Sequence, residues 1–75
     1  MGEEGSVAHK FGRRVRRLRE AKHWSQERLA AEAAIHRSYL SGIEKGARNP
    51  SLHNIAKIAE ALGVPIATLF EGNDQ

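Results

Sequence analysis

The sequence predicts an all-α fold: one compact domain of five short helices. The chain has 75 residues, of which 40% are hydrophobic, and this suffices for one small core but not for a second. Apolar residues recur at helical spacing, and no stretch alternates as a half-buried strand would. Serine, glycine and proline residues mark the ends of the apolar stretches, so we expect the helices to be short.

The first helix is predicted over about residues 7–22. Phe11, Val15 and Leu18 share one side of this helix, and most of the opposite side is charged. The basic residues of the helix are Lys10, Arg13, Arg14, Arg16, Arg17, Arg19 and Lys22. Such a run attracts a polyanion, but a solvated helix face and a basic helix that binds a membrane or calmodulin are alternatives. Residues 1–48 hold 11 of the 12 Lys and Arg, so one part of the molecule is basic.

Two short helices follow, joined by a tight turn. Ser25 is a suitable N-cap for the second helix, which is expected to end near residue 33. The third helix spans about residues 36–45 and ends before Gly46, a residue type that favours helix ends. The apolar residues of the third helix face the core, so its polar residues face outward. These are Arg37, Ser38, Ser41 and Lys45.

A turn at residues 49–51 precedes the fourth helix, whose apolar stripe is nearly continuous up to Gly63. Pro65 then opens a fifth, short helix. We expect a domain over residues 7–70, with flexible tails at residues 1–6 and 71–75.

Composition argues against several classes of protein. No apolar run approaches the roughly 20 residues that span a bilayer, and the N-terminus lacks an apolar segment of the signal-peptide type, so we expect a cytoplasmic protein. With no cysteine, there is no disulfide and no thiolate ligand. The four histidines share no metal-ligand spacing, and no nucleophile pairs with a base. We therefore expect no metal, no cofactor and no catalysis.

Several short motifs follow one another along the chain. They are Leu18-Arg19, Trp24-Ser25-Gln26, Leu29-Ala30, Ile35, the run from Leu40 to Gly46, Asn49-Pro50-Ser51 and Ala61-Leu62-Gly63. This pattern covers about residues 9–70 and resembles the lambda-repressor-like, Cro-type helix-turn-helix family, also called the xenobiotic-response-element family. Residues 37–44 resemble the small controller proteins of restriction-modification systems, which work as homodimers.

The resemblance implies a bacterial transcriptional regulator that binds double-stranded operator DNA as a homodimer, with residues 36–45 in the major groove. It implies base contacts by Arg37, Ser38, Tyr39 and Gln26. It implies phosphate contacts by Ser25, Ser41, Lys45, Arg48 and Asn49, each of which is otherwise an ordinary surface residue. The first-helix arginines are expected to add only long-range attraction. RNA polymerase is a further candidate partner, and the bound protein would lie with the nucleoid.

Two further features concern how the chain is held together. Arg19 and Glu44 lie at corresponding flanks of the first and third helices, so we predict a partly buried ion pair, as the resemblance also implies. Surplus apolar side chains near the C-terminus predict a two-fold dimer interface. They are Val64, Ile66, Leu69 and Phe70. The alternative function is an antitoxin or accessory subunit whose C-terminal helices bind a protein partner.

Five positions depart from the family pattern or are unusual. His23 and Ala34 stand where the family has glycine with positive φ; alanine there costs about 1–2 kcal/mol or forces a different turn. His36 replaces the usual Ser, Thr or Asp cap. A glycine within a helix costs roughly 1 kcal/mol of stability relative to alanine. Either close approach to DNA or tolerance near a helix end explains the presence of Gly42. Trp24 either packs under the second helix or stacks on bases.

Overall fold

The computed structural model describes residues 6–71, and this part of the chain contains four α-helices, one 3-10 helix and no strand. The helices are α1 (Val7–Ala21), α2 (Gln26–Ala33), α3 (Arg37–Glu44), α4 (Leu52–Leu62) and the 3-10 helix Ile66–Phe70. The all-α class is confirmed, but the fifth element is a 3-10 helix and not the predicted α-helix. The expected tails fall outside the described residues, except for Ser6 and Glu71.

The last element forms a 3-10 helix because it is short and follows a proline. Five residues allow very few i to i+4 hydrogen bonds, and such short segments favour the tighter i to i+3 pattern. The Thr68 N–H donates to the Pro65 carbonyl oxygen at 3.0 Å. This turn buries Leu69 and places the Phe70 ring 5.1 Å from the ring of Phe11, centroid to centroid.

The core receives side chains from all five elements. Helix α1 packs on α3, α4 packs on α2, and the 3-10 helix contacts both α1 and α4. The core residues with no exposed surface are Val15, Leu29, Leu40, Ile43 and Ile58. Burying a side chain of this type stabilises the fold by about 1.5–3 kcal/mol. Helices α2 and α3 pack on each other, and each has a further neighbour: α4 for α2 and α1 for α3.

Gly12 determines how closely α1 approaches α3. The residue is buried, and a Cβ atom on it would collide with the backbone carbonyl oxygens of Ile43 and Glu44. A glycine within a helix ordinarily costs about 1 kcal/mol relative to alanine. Here the absence of a side chain permits contact between the two backbones, which places the C-terminal end of α3 directly against α1.

All four α-helices end in the same hydrogen-bonded turn. In each, an N–H group beyond the helix bonds back to a carbonyl five residues earlier, as Trp24 does to Arg19 at 3.2 Å and Ile35 to Ala30 at 2.9 Å. The turn requires one residue with positive φ. These residues are His23 and Ala34, both at 59°, Gly46 at 79° and Gly63 at 75°. Ala34 therefore adopts the left-handed conformation and does not form a different turn.

Replacing Ala34 with glycine is expected to stabilise the protein. The left-handed conformation costs alanine about 1–2 kcal/mol, and the greater freedom of glycine in the unfolded chain offsets about 0.4–1 kcal/mol of the gain. We expect a net gain of about 1 kcal/mol and a melting temperature higher by about 4–8 °C, measured by circular dichroism. Ala31→Gly, within the regular part of α2, is the control and is expected to lower stability by about 1 kcal/mol. A lower melting temperature for Ala34→Gly would contradict strain at this turn.

Candidate nucleic-acid interface

Helices α2 and α3 meet at a tight turn that leaves one side of α3 uncovered. Leu29 of α2 and Leu40 of α3 belong to the same buried cluster. From α4, the Lys57 Nζ donates to the Ala34 carbonyl oxygen in the turn at 3.3 Å. Helix α4 therefore contacts the turn between α2 and α3, and the buried contacts of α3 with the core determine the direction of that helix.

The outer face of α3 is polar. Arg37, Ser38 and Lys45 are exposed, and Ser41 is half-buried. The inner face carries Leu40, Ile43 and Glu44, all buried. The structure therefore brings the two residues at the start of α3, both predicted base contacts, to the outer surface together.

Tyr39 lies at the edge of α3 and contacts α4. Its side chain is partly buried against the core, and its hydroxyl oxygen accepts a hydrogen bond from Asn54 Nδ2 at 3.1 Å. The guanidinium carbon of Arg48 lies 5.7 Å from the ring centroid. Tyr39 therefore joins α3 to α4 and offers only part of its ring for the predicted base contact.

Gly42 is covered by a side chain of the same protein. A Cβ atom on Gly42 would lie 2.7 Å from Cγ of Arg48, so the aliphatic part of Arg48 packs directly on the helix backbone. The sequence left two explanations for Gly42, close approach to DNA or tolerance near a helix end, and the structure adds that the Arg48 side chain packs on it. Arg48 and Asn49, both predicted phosphate contacts, are exposed in the loop after α3.

Arg19 and Glu44 form a buried ion pair with two hydrogen bonds. Arg19 Nε donates to Glu44 Oε2 at 2.7 Å, and Nη2 donates to Oε1 at 2.9 Å. The two side chains are 10% and 3% exposed. Arg19 Nη1 also donates to the Trp24 carbonyl oxygen at 2.8 Å. The hydrogen bonds to Glu44 hold the pKa of Arg19 above its ordinary value, so Arg19 stays charged. Its hydrogen bonds join α1 to the α1–α2 connection and to α3.

Gln26 connects this ion pair to the outer surface. Its Nε2 donates to Glu44 Oε1 at 2.9 Å, and its Oε1 accepts from Arg37 Nη1 at 3.4 Å. An ionised carboxylate only accepts hydrogen bonds and a guanidinium only donates them, so a single orientation of the amide satisfies both partners. The exposed Arg37 is therefore linked through Gln26 to a buried charge.

The start of α2 carries two more of the residues singled out from the sequence. The Ser25 hydroxyl accepts a hydrogen bond from the Arg28 N–H at 3.0 Å and so caps the helix. Trp24 packs against the core, with Lys22 Nζ 4.8 Å and the Arg28 guanidinium carbon 4.4 Å from its ring centroid. These contacts leave little of the Trp24 ring for stacking on bases.

The four residues predicted to form a dimer interface differ in exposure. Leu69 is 1% exposed and belongs to the core of the single chain, so its assignment to an interface is corrected: the 3-10 turn directs it inward. Ile66 and Phe70 are 47% and 49% exposed. Val64 is partly buried against the core. Ile66 and Phe70 therefore provide most of the exposed apolar surface of this set.

Three positioning residues were not identified from the sequence. The signal for Gly12 was its place inside a predicted helix, where a glycine indicates close packing or a defect. Asn54 and Lys57 had no distinguishing signal, because their bonding partners come from segments 15 and 23 residues away. Within residues 6–71, no helix is long and apolar enough to cross a membrane, and no His, Cys, Asp or Glu cluster could hold a metal ion.

Replacing Glu44 with glutamine is expected to lower the free energy of unfolding by about 3 kcal/mol. The change leaves the Arg19 charge buried without a matching anion, which is costly in a protein interior. Glu32→Gln is the control: it removes the carboxylate of an exposed pair, with Arg28 at 3.1 Å and side chains 54% and 46% exposed, and is expected to cost less than about 0.5 kcal/mol. Urea unfolding measures both variants. An unchanged stability and DNA affinity for Glu44→Gln would contradict the bracing role of the pair.

Comparisons with known proteins identify the family. The Helix-turn-helix family model matches residues 15–69. Over 62 residues the chain is 56% identical to Control protein C.BamHI of Bacillus amyloliquefaciens, covering 81% of this chain and 76% of that relative. The crystal structure of the restriction-modification controller protein C.AhdI from Aeromonas hydrophila has a TM-score of 0.83 and 51% identity, covering 84% of this chain and 96% of that one. SinR, a master regulator for biofilm formation whose crystal structure is in complex with DNA, has a TM-score of 0.77 and 35% identity, covering 81% and 98%. The chain therefore belongs to the Helix-turn-helix family and is similar to the controller proteins of restriction-modification systems.

Proposed function

We propose that this helix-turn-helix regulator binds a two-fold DNA operator as a homodimer and places α3 in the major groove of each half-site. The observation that carries the proposal is the exposed polar start of α3, with Arg37 and Ser38 outward, on a helix held by buried contacts. The major groove, about 12 Å wide, admits one α-helix. A helix that is already held in place loses little conformational freedom on binding.

The side chains at the start of α3 suit base edges. The guanidinium of Arg37 can donate two parallel hydrogen bonds to guanine O6 and N7, and the Ser38 hydroxyl can donate or accept. The exposed part of the Tyr39 ring suits a thymine methyl group. Gln26 uses one N–H and one oxygen lone pair of its amide within the protein, so a second N–H and a second lone pair remain for a base. Each bidentate contact of this type discriminates between bases by about 1–3 kcal/mol.

The proposed phosphate contacts surround α3. Ser25 lies at the N-terminus of α2, and Lys45 directly follows α3. Ser41 lies on α3 itself, and Arg48 and Asn49 lie in the following loop. Bonds to phosphates set the register and orientation of the protein on DNA without selecting a sequence. In this proposal the start of α3 selects the DNA sequence, and the residues around α3 position the protein on the DNA.

A homodimer follows from the size of the contact and from the apolar surface near the C-terminus. One recognition helix contacts few base pairs, and dimers of this type bind half-sites about 34 Å apart. Ile66 and Phe70 of the 3-10 helix are exposed, and Val64, which lies between α4 and the 3-10 helix in the sequence, is partly buried against the core. Pairing these surfaces across a two-fold axis would remove them from water and orient two copies of α3 toward one face of the DNA.

Selection of binding sites from a random duplex library tests the proposed function. We expect the wild-type chain to select a two-fold sequence and to lose affinity steeply as salt rises. Arg37→Ala is expected to weaken binding to that sequence by about 1–3 kcal/mol and to relax the preference at one position per half-site. The contrasting variant, Lys45→Ala, is expected to weaken binding to all duplexes alike and to reduce the magnitude of the slope of log K against log salt by about 1. If no sequence is selected and the salt profile is flat, the antitoxin or accessory alternative is favoured.

Replacing Ile66 with aspartate tests the dimer. The variant is expected to sediment as a monomer at roughly ten micromolar, where the wild-type chain sediments as a dimer, because a charge on each side of a two-fold axis faces its own copy. Leu52→Asp is the control: it introduces the same charge at a residue that is 82% exposed at the start of α4 and is not among the residues proposed for the interface. A wild-type chain that stays monomeric in solution and on its selected DNA would refute the proposal.

A further inference from the structure

A concave, basic surface lies between α1 and the outer edge of the α2–α3 pair, and we call it the α1 cleft. Its rim is formed by His9, Arg13, Arg16, Gln26 and Lys45, and the buried pair of Arg19 and Glu44 completes its lining. Three helices contribute to it. The α1 cleft is therefore a product of the packing of α1 on α3 that Gly12 permits.

The charges that line the α1 cleft do not balance. Glu44 is the only carboxylate among the lining residues, and both of its oxygens already accept hydrogen bonds from Arg19 and Gln26. Arg13 contacts His9, with 3.2 Å between Nη1 and Nδ1. The residues that line the α1 cleft therefore carry an excess of positive charge, from Arg13, Arg16 and Lys45.

Arg16 has a carboxylate neighbour outside the α1 cleft. Its Nε donates to Glu20 Oε2 at 3.0 Å, and the two side chains are 61% and 53% exposed. Exposed pairs of this type in the i and i+4 positions of a helix contribute only about 0.3–0.5 kcal/mol, because water and salt screen them. A stronger anion at the cleft can therefore recruit Arg16 at little cost.

The α1 cleft is continuous with the proposed DNA-binding face. Gln26 and Lys45 line the cleft, and Gln26 also bonds to Arg37 at the start of α3. Arg13 and Arg16 are three residues apart on α1, so they share one side of that helix. A DNA strand whose bases meet α3 carries its phosphates along the flanks of that helix, and α1 borders one of these flanks.

We propose that the α1 cleft holds backbone phosphates of the operator, with Arg13 and Arg16 as direct contacts. The inference rests on the proposed function and extends the DNA contact beyond the helix-turn-helix, where the sequence suggested only long-range attraction from α1. An acidic protein surface would match the charge equally well. Continuity with Gln26 and Lys45 favours DNA, because both belong to the set proposed to meet it.

The salt dependence of DNA binding tests the inference, with the selected duplex as the probe. The slope of log K against log salt is negative, and Arg13→Gln and Arg16→Gln are each expected to reduce its magnitude by about 1, as the loss of one phosphate contact does. Arg16→Lys keeps the charge and is expected to restore most of the slope. The matched control is Lys10→Gln: it removes the same charge from an exposed position of α1 that does not line the cleft, and a much smaller change is expected.

A duplex that carries single neutral methylphosphonate linkages, moved along one strand, locates the contact. Linkages that weaken binding of the wild-type chain but not of Arg13→Gln or Arg16→Gln mark the phosphates in question. Slopes for both arginine variants equal to that of Lys10→Gln, or no linkage whose effect depends on these arginines, would overturn the inference while the proposed function stands. A wild-type chain with no salt-dependent DNA binding would overturn both. An unchanged slope together with loss of an acidic protein partner would assign the α1 cleft to that partner.

Discussion

The buried ion pair between Arg19 and Glu44 is the contact on which the arrangement of α1, α2 and α3 depends. Arg19 bonds to the end of α3 and to the backbone of the α1–α2 connection with all three of its guanidinium nitrogens. Moving charges out of water costs several kcal/mol per ion, so the pair defines geometry more than it adds stability. Glu44 also accepts from Gln26, which in turn accepts a hydrogen bond of 3.4 Å from the exposed Arg37, so the same buried carboxylate is linked to the start of α3.

The close approach of the helix backbones makes this pair possible. Helices α2 and α3 have eight residues each, too few for stability as isolated helices, so tertiary contacts hold them in place. Gly12 brings α1 against the end of α3, and the left-handed Ala34 turns the chain sharply between α2 and α3. Strain at Ala34 is tolerated because the bond from Lys57 and the buried helix faces determine the turn from several sides.

Several residues of the outer surface have structural contacts as well as proposed DNA contacts. Tyr39 bonds to α4, Arg48 packs on Gly42, and Gln26 bonds to the ion pair. Such contacts reduce the freedom of these side chains before DNA arrives, so less ordering remains to oppose binding. They also mean that affinity and stability are coupled at these positions, unlike at the exposed Ser38 and Lys45.

The sequence by itself determined the four α-helices, the serine caps of α2 and α4, the glycine ends of α3 and α4 and the polar face of α3, and the Cro-type resemblance supported the pairing of Arg19 with Glu44. The helices, their ends and the polar face follow from local hydrogen bonding and from apolar spacing, which neighbouring residues suffice to specify. The left-handed conformation of Ala34 was one of two outcomes that the sequence allowed. Only the tertiary structure decided that Leu69 points inward, that Arg48 covers Gly42 and that α1 forms one wall of a basic cleft. Each of these depends on segments distant in sequence meeting at a defined distance, and residue spacing along a single helix carries no information about that distance.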